Sequence, residues 1–194
     1  MAKEPGVISA IGAVSRNGMI GLDGWLPWDI PEELAYFEAK VAGAALVIGR
    51  ATYESMDVVP ADSFIVTRQR GMALKPGCHA VESVEAALRS ALATGKDVFV
   101  IGGASIYATA WPYLRYFYLT RIEQDFVGDS QFPGSIPLAH WKIVAESSRL
   151  LVERHSGVPV CCRFICYEQP AEKILAVPAC PASSTCPESI YQGG

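Results

Sequence analysis

Nowhere in the sequence does an apolar run approach the roughly 20 residues that a membrane-spanning helix requires, so no integral membrane helix is expected. Charge is sparse too: 19% of the 194 residues are charged, and the formal net charge is -4. A weakly acidic chain has no general electrostatic attraction for nucleic acid or anionic membrane, and neither is an expected partner. Histidine is scarce, and His79, His140 and His155 stand apart without ligand spacing. The cysteines (Cys78, Cys161, Cys162, Cys166, Cys180 and Cys186) make no paired C-x-x-C knuckles, so no zinc or other metal is expected. They are read as structural or incidental thiols. No secretory leader pattern opens the chain, and the cytoplasm is the expected compartment. Internal repeats and the dinucleotide fingerprint G-x-G-x-x-G are likewise missing.

What the chain does hold is apolar residues in quantity, 51% of the total, enough for one sizeable core. Residues 7–15 form an apolar run rich in β-formers and predict a first strand. The Gly, Pro, Asn and Asp of residues 16–30 predict a long loop. Pro31 suits the first position of a helix running to about Ala42, with Gly43 ending it. Short continuous apolar runs predict buried strands at residues 44–48, 64–67, 97–101 and 116–123. Helical patterns occupy residues 50–56, 84–93 and about 104–111. Two later strands, 141–152 and 158–167, are expected to form a hairpin around Ser156-Gly157. Strands alternating with helices predict an α/β fold: a mainly parallel central sheet flanked by helices, with an antiparallel C-terminal strand. A domain over residues 1–168 is expected, followed by a Pro-, Ser- and Cys-containing tail over 169–194 that reads as a flexible segment rather than a second domain.

Ligands of open α/β sheets bind beyond the carboxyl ends of the strands. Two strand-to-helix junctions suit a dinucleotide there: VIGRAT (residues 47–52) and VIGGAS (residues 100–105). Glycine removes the Cβ that would block close backbone approach, and free N–H groups at a helix start can hold phosphate. Tight packing of strand on helix is the plainer use of such glycines. Arg50, with Thr67-Arg68 after a third strand, adds cations that favour NADPH over NADH. In LPWDIPEELAYF (residues 26–37), a rotation of about 100° per residue places Leu34, Phe37 and Val41 on one apolar face. Glu32 points nearly opposite, and Glu33 falls on the border. One reading makes Glu33 a surface acid favoured in the first helical turn. The other makes it an anchor for a polar heterocycle lying against Leu34 and Phe37.

These segments resemble the dihydrofolate reductases. The likeness runs in order over residues 8–168 through IGAVSRNGMIG, LPWDIPEELAYF, VIGRATYESM, FIVTRQ, VFVIGGASIY, FYLTRIE and GDSQFP. It implies NADPH-dependent reduction of 7,8-dihydrofolate to 5,6,7,8-tetrahydrofolate, a place among antifolate targets and a monomeric enzyme. It also implies roles. Glu33 is the single carboxylate that hydrogen-bonds the pterin 2-amino group and N3. Ile11, Gly12, Leu34, Phe37 and Ile101 form the pterin and aminobenzoyl pocket, and Thr120 supports the carboxylate. Leu26 and Trp28 belong to a mobile loop closing over the nicotinamide, which Ala13, Ile20, Gly21 and Tyr107 also contact. Arg50, Ala51, Thr52, Thr67 and Arg68 lie around the cofactor's phosphates and adenosine. Gly102, Gly103, Ala104, Ser105 and Ile106 form the pyrophosphate turn. Asp129 matches an aspartate that tunes loop closure, or is a simple turn residue.

The likeness breaks after Met56. There the family usually has a Pro-rich loop ending in an arginine for the folate α-carboxylate. This chain has DVVPADSF (residues 57–64), with acids and no Arg or Lys. Two other readings stay open on the sequence: a reductase of a related pterin or of a pyrimidine in flavin biosynthesis, and a non-catalytic pterin-binding relative.

Overall fold

The computed structural model describes residues 6–179. Its strands are β1 (Ile8–Ser15), β2 (Met19–Gly21), β3 (Ala45–Gly49), β4 (Ser63–Val66), β5 (Cys78–Val81), β6 (Val98–Val100), β7 (Tyr116–Ile122), β8 (Ser130–Gln131), β9 (Lys142–Glu153) and β10 (Val158–Glu168). The α-helices are α1 (Pro31–Val41), α2 (Arg50–Ser55), α3 (Val84–Ala93) and α4 (Ala104–Ala110). Eight strands form one sheet in the order β5-β4-β3-β6-β1-β7-β10-β9, and β2 pairs with β8 separately. All neighbouring pairs from β5 to β7 are parallel; β10 runs antiparallel to both β7 and β9. The predicted α/β class and its antiparallel finish are both present.

The runs ALVIG and VFV are apolar throughout because helices or loops cover both faces of the sheet, leaving no solvent side to alternate toward. Alternate residues of β1 feed different cores. Ile8, Ala10 and Val14 join Val47, Val100 and the apolar face of α3, while Ile11 joins Leu46, Ile48, Ile65 and Ile101 on the other side. Ser83 caps α3 by accepting from the Ala86 N–H at 3.1 Å. α1 has no side-chain cap; Pro31 starts it instead.

Three short strands escaped the sequence reading. β2 lies inside the expected 16–30 loop, stitched to β8, and is followed by a bridge between Leu22 and Trp25. β5 is an edge strand with two exposed residues. Past Gln169, the expected tail is docked as far as the description reaches. Gln169 is buried, the Leu175 N–H bonds the Pro112 carbonyl at 2.8 Å, and Arg89 reaches the Pro178 carbonyl at 2.7 Å. Residues 180–194, with Cys180 and Cys186, lie outside the described residues. Cys78, Cys161, Cys162 and Cys166 are free thiols.

Candidate active site

A cleft of about 1740 Å³ opens along the middle of β1 and the carboxyl ends of β3, β4 and β6. Every site residue named from the sequence lines it except Thr120, which is buried behind it. Segments separated by more than 90 positions thus meet on one concave surface.

One wall is built from glycine turns. Gly49 and Gly102 are joined by a hydrogen bond from the Gly49 N–H to the Gly102 carbonyl at 2.6 Å. A Cβ on Gly49 would stand 2.9 Å from Ile106 Cγ1 and 3.2 Å from the Gly102 carbonyl oxygen. Gly102 has φ +110, which side chains rarely tolerate, and its Cβ would meet the Tyr107 ring at 3.1 Å. The Gly102-Gly103 peptide is cis. Tyr107 is buried, and its hydroxyl donates to the Ile11 carbonyl at 2.6 Å. A Cβ on Gly12 would stand 2.6 Å from that hydroxyl. Only glycine at these positions lets β1, the two turns and Tyr107 pack this closely behind the wall.

Two cations sit at this end, Arg50 and Arg68, beside Thr67. Arg50 is not free: its guanidinium bonds both oxygens of Glu54 at 2.9 Å, one turn along α2. The Thr67 hydroxyl accepts from the Gln69 N–H at 3.1 Å, fixing the turn that presents Arg68.

The opposite wall is α1, and here the structure decides between the two readings left open for Glu33. Glu33, placed on the border of the apolar face, is only 5% exposed, whereas Leu34 is 48% exposed. Leu34 and Phe37 line the open cleft, and Phe37 also packs against the core cluster that holds Val41. The core side is held by Val41 and by Tyr36, whose ring lies 4.6 Å from that of Phe164 on β10. Burial penalises the Glu33 charge and pushes its pKa up to about 7, against a smaller opposing pull from the Thr120 hydroxyl. The two groups interact at close range without meeting hydrogen-bond geometry, and Thr120 Oγ1 is buried with no protein partner. Trp28 Nε1, also on the cleft, is in the same condition. A buried carboxylate with no cation paired to it among the described residues, on a cleft that Trp28 also lines, forms a site suited to a polar ligand.

Glu153, at the tip of the β9–β10 hairpin, was not singled out in the sequence. It is buried, and one carboxylate oxygen accepts from the Asp29 N–H at 3.2 Å and the His155 N–H at 3.1 Å. The other accepts from the Ser156 N–H at 2.8 Å and the Ser156 hydroxyl at 2.6 Å. Burial raises its pKa, but the bonds from Ser156, Asp29 and His155 outweigh that and bring it down to about 2. The Arg154 N–H returns a bond to the Asp29 carbonyl at 2.9 Å. The hairpin therefore clamps the residue between Trp28 and Ile30, just ahead of α1. His155, exposed on the same hairpin, reaches the cleft rim with its Nδ1 3.0 Å from Glu153.

The loop after β1 is pinned at its far side. The Asp23 N–H donates to the Asp129 carboxylate at 2.9 Å, and the Asp129 N–H donates to the Gly21 carbonyl at 3.0 Å. Sequence reasoning missed Glu38, Ser130 and His155 as cleft residues, whereas Asp57 stands in the stretch already singled out after Met56. Glu38 was within reach, since it lies four residues from Leu34 and so on the same helix face. The others come from distant loops and left no local signal.

A doubly wound sheet, paired glycine turns at its carboxyl edge and one buried acid opposite them define a dinucleotide-dependent oxidoreductase for a small polar ring. The family profile described as dihydrofolate reductase matches residues 7–168. The dihydrofolate reductase of Bacillus subtilis (strain 168) is 34% identical over 165 residues, covering 84% of this chain and 95% of that protein. The dihydrofolate reductase type 3 of Salmonella typhimurium is 31% identical over 160 residues, 82% of this chain and 96% of its own. A solved structure of the Enterococcus faecalis dihydrofolate reductase, complexed with NADP(H) and RAB-propyl, superposes with a TM-score of 0.73 at 30% identity, covering 84% of this chain and 96% of that one. The chain belongs to the dihydrofolate reductase family and is an NADPH-dependent oxidoreductase. No described helix is long and apolar enough to cross a membrane.

Proposed function

We propose that the cleft binds 7,8-dihydrofolate against α1 and NADPH against the glycine turns, and that reduction to 5,6,7,8-tetrahydrofolate occurs where the two meet. The observation that carries this is the burial of Glu33 across the cleft from the Gly49 and Gly102 turns. The turns suit the cofactor because they line the cleft at the carboxyl ends of β3 and β6, where helix starts follow, with Arg50 and Arg68 nearby. Gly102 through Ile106 would cradle the pyrophosphate, with Tyr107 beside the nicotinamide. Arg50, Ala51, Thr52, Thr67 and Arg68 would hold the adenosine end, and Ala13, Ile20 and Gly21 the nicotinamide. When bound, NADPH supplies a hydride to C6 of the pterin.

The residues of this chain do the rest. Glu33 grips the 2-amino group and N3, a charge-assisted pair that repays the desolvation of the carboxylate. Ile11, Leu34, Phe37 and Ile101 hold the ring and aminobenzoyl group by apolar contact. Thr120 steadies Glu33 from behind. Leu26 and Trp28 cover the ring face, and closure of residues 16–30 keeps out bulk water while the reacting atoms are held together. Glu33 fixes the ring with N5 away from itself, so the N5 proton comes through water. The protein works in the cytoplasm as a monomer, binds antifolates in the same cleft and requires no metal. Steady-state NADPH oxidation with dihydrofolate tests the reading. Turnover should fall by about a hundredfold or more in Glu33→Gln at neutral pH, with the fold intact. Near-normal turnover in that variant removes Glu33 from the mechanism.

A further inference from the structure

Two acids are buried among the described residues, Glu33 and Glu153. Glu33 lines the cleft; Glu153 does not, and stands instead against the chain that leads into α1. Its carboxylate collects donors from two places. His155 and Ser156 belong to its own hairpin turn, whereas the Asp29 N–H comes from 124 positions away. The turn has a closure of its own, the Gly157 N–H donating to the Glu153 carbonyl at 2.8 Å. An amide in place of the carboxylate has a single acceptor oxygen and serves either the Asp29 side or the Ser156 side, not both. The buried carboxylate is thus what joins the hairpin tip to residue 29.

What residue 29 governs is the entry to α1. That helix has no side-chain cap. Its first turn closes on the Ile30 carbonyl, which accepts from the Glu33 N–H at 3.0 Å and the Leu34 N–H at 3.2 Å. Asp29, next to it, is held through both of its backbone groups: its N–H by Glu153, and its carbonyl by the Arg154 N–H at 2.9 Å. Trp28 and Ile30 on either side pack with Val160, Cys162 and Phe164 of β10. The first turn of α1, with Glu33 and Leu34, therefore hangs from the hairpin instead of from a cap of its own. The glycine turns have no such tie. Gly49 and Gly102 are bonded to each other, and β1 and β7 separate β6 from the β9–β10 hairpin.

We propose that Glu153 is a positioning residue for the substrate half of the cleft: by holding Asp29 it fixes the first turn of α1 where Glu33 and Leu34 meet the dihydropterin, and NADPH binding does not depend on it. The proposal rests on the reading of the α1 wall as the dihydrofolate site. Glu153 touches neither ligand and acts only through the Asp29 peptide. A shift of the first turn by a fraction of an ångström is enough to spoil a two-point hydrogen bond to a flat ring. The glycine turns, bonded among themselves, stay where they are.

The test is a pair of fluorescence titrations on the full chain at neutral pH: dihydrofolate without NADPH, and NADPH without dihydrofolate. Glu153→Met fills the same space and offers no acceptor oxygen. It should bind dihydrofolate about tenfold more weakly or worse, with NADPH affinity held within about twofold. Glu153→Gln keeps one acceptor oxygen and should show the same split at about threefold, which decides the matter if the methionine variant does not fold. Ser156→Ala loosens the turn and leaves the Asp29 bond, so both affinities should stay within about twofold of wild type. A folded Glu153 variant that loses affinity for both ligands alike, or for neither, overturns the proposal. So does a Ser156→Ala protein as weak toward dihydrofolate as Glu153→Met, because the effect then lies in the turn. A wild-type chain that binds neither ligand overturns the reading of the cleft as well, which separates the two failures.

Discussion

Replacing Glu33 by glutamine should make the ligand-free protein more stable at alkaline pH, and the size of the gain follows from the structure. The carboxyl is 5% exposed and faces no cation, and its pKa rises from 4.5 to about 7 through burial. Because the folded pKa lies above the unfolded one, the favourable contribution of the protonated acid is complete below about pH 4.5. It is lost as pH rises through about 7, where the native state must carry a buried charge. At ~1.4 kcal/mol per pH unit, the shift amounts to ~3 kcal/mol. Glutamine keeps the shape and never ionises. Wild type and Glu33→Gln should therefore unfold together near pH 4 and diverge between pH 4.5 and 7. Above that they should differ by ~3 kcal/mol, or roughly 6–12 °C in Tm for a domain of this size. Urea titrations across this range, without NADPH or substrate, measure it. Parallel stability curves for the two proteins would show that Glu33 is not held in a dry, unpaired setting, and the reasoning about the anchor would fall.

Glu153→Gln should act with the opposite sign. Its pKa is lowered to about 2, so it stabilises the fold by ~3 kcal/mol above about pH 4.5; the deficit of the variant, read by the same urea titrations, should vanish as pH falls through about 2. Tyr107→Phe removes the 2.6 Å bond to the Ile11 carbonyl and should cost about 1–3 kcal/mol in thermal unfolding by leaving that buried carbonyl unpaired. Gly49→Ala forces a methyl within 2.9 Å of Ile106 and should cost about 1–3 kcal/mol while weakening NADPH binding in a fluorescence titration. Unaltered cofactor affinity in that variant would show that the turn is not part of the cofactor site.

Local pattern carried most of the fold. The parallel strands are legible because burial on both faces writes an unbroken apolar run, as in ALVIG and VFV, and α3 is legible from its spacing alone. β8, two residues long, is too short to hold a period, and β2 exists only through its pairing with β8. α1 was assigned correctly as a helix, and of the two readings left open for Glu33 the structure favours the one that sets it beside Leu34 and Phe37 on the cleft. Periodicity alone leaves the use of Leu34 and Phe37 open, because a substrate cleft and a core ask for the same side chains. Glu33 looked marginal because nothing within the helix reports which neighbours cover it. Glu153 was invisible for a different reason: its partner Asp29 is 124 positions away, and no local rule links them.

That distance has a consequence for how the protein is made. During synthesis the segment bearing Trp28 and the start of α1 leaves the ribosome long before Glu153 does. Phe164, which packs on Tyr36, and Val160 and Cys162, which cover Trp28 and Ile30, emerge later still. A nascent chain halted short of the last hairpin can assemble the glycine turns, which lie between residues 49 and 103, while its ring-binding half waits for the final two strands. Cofactor capture should thus become possible earlier in biogenesis than substrate capture.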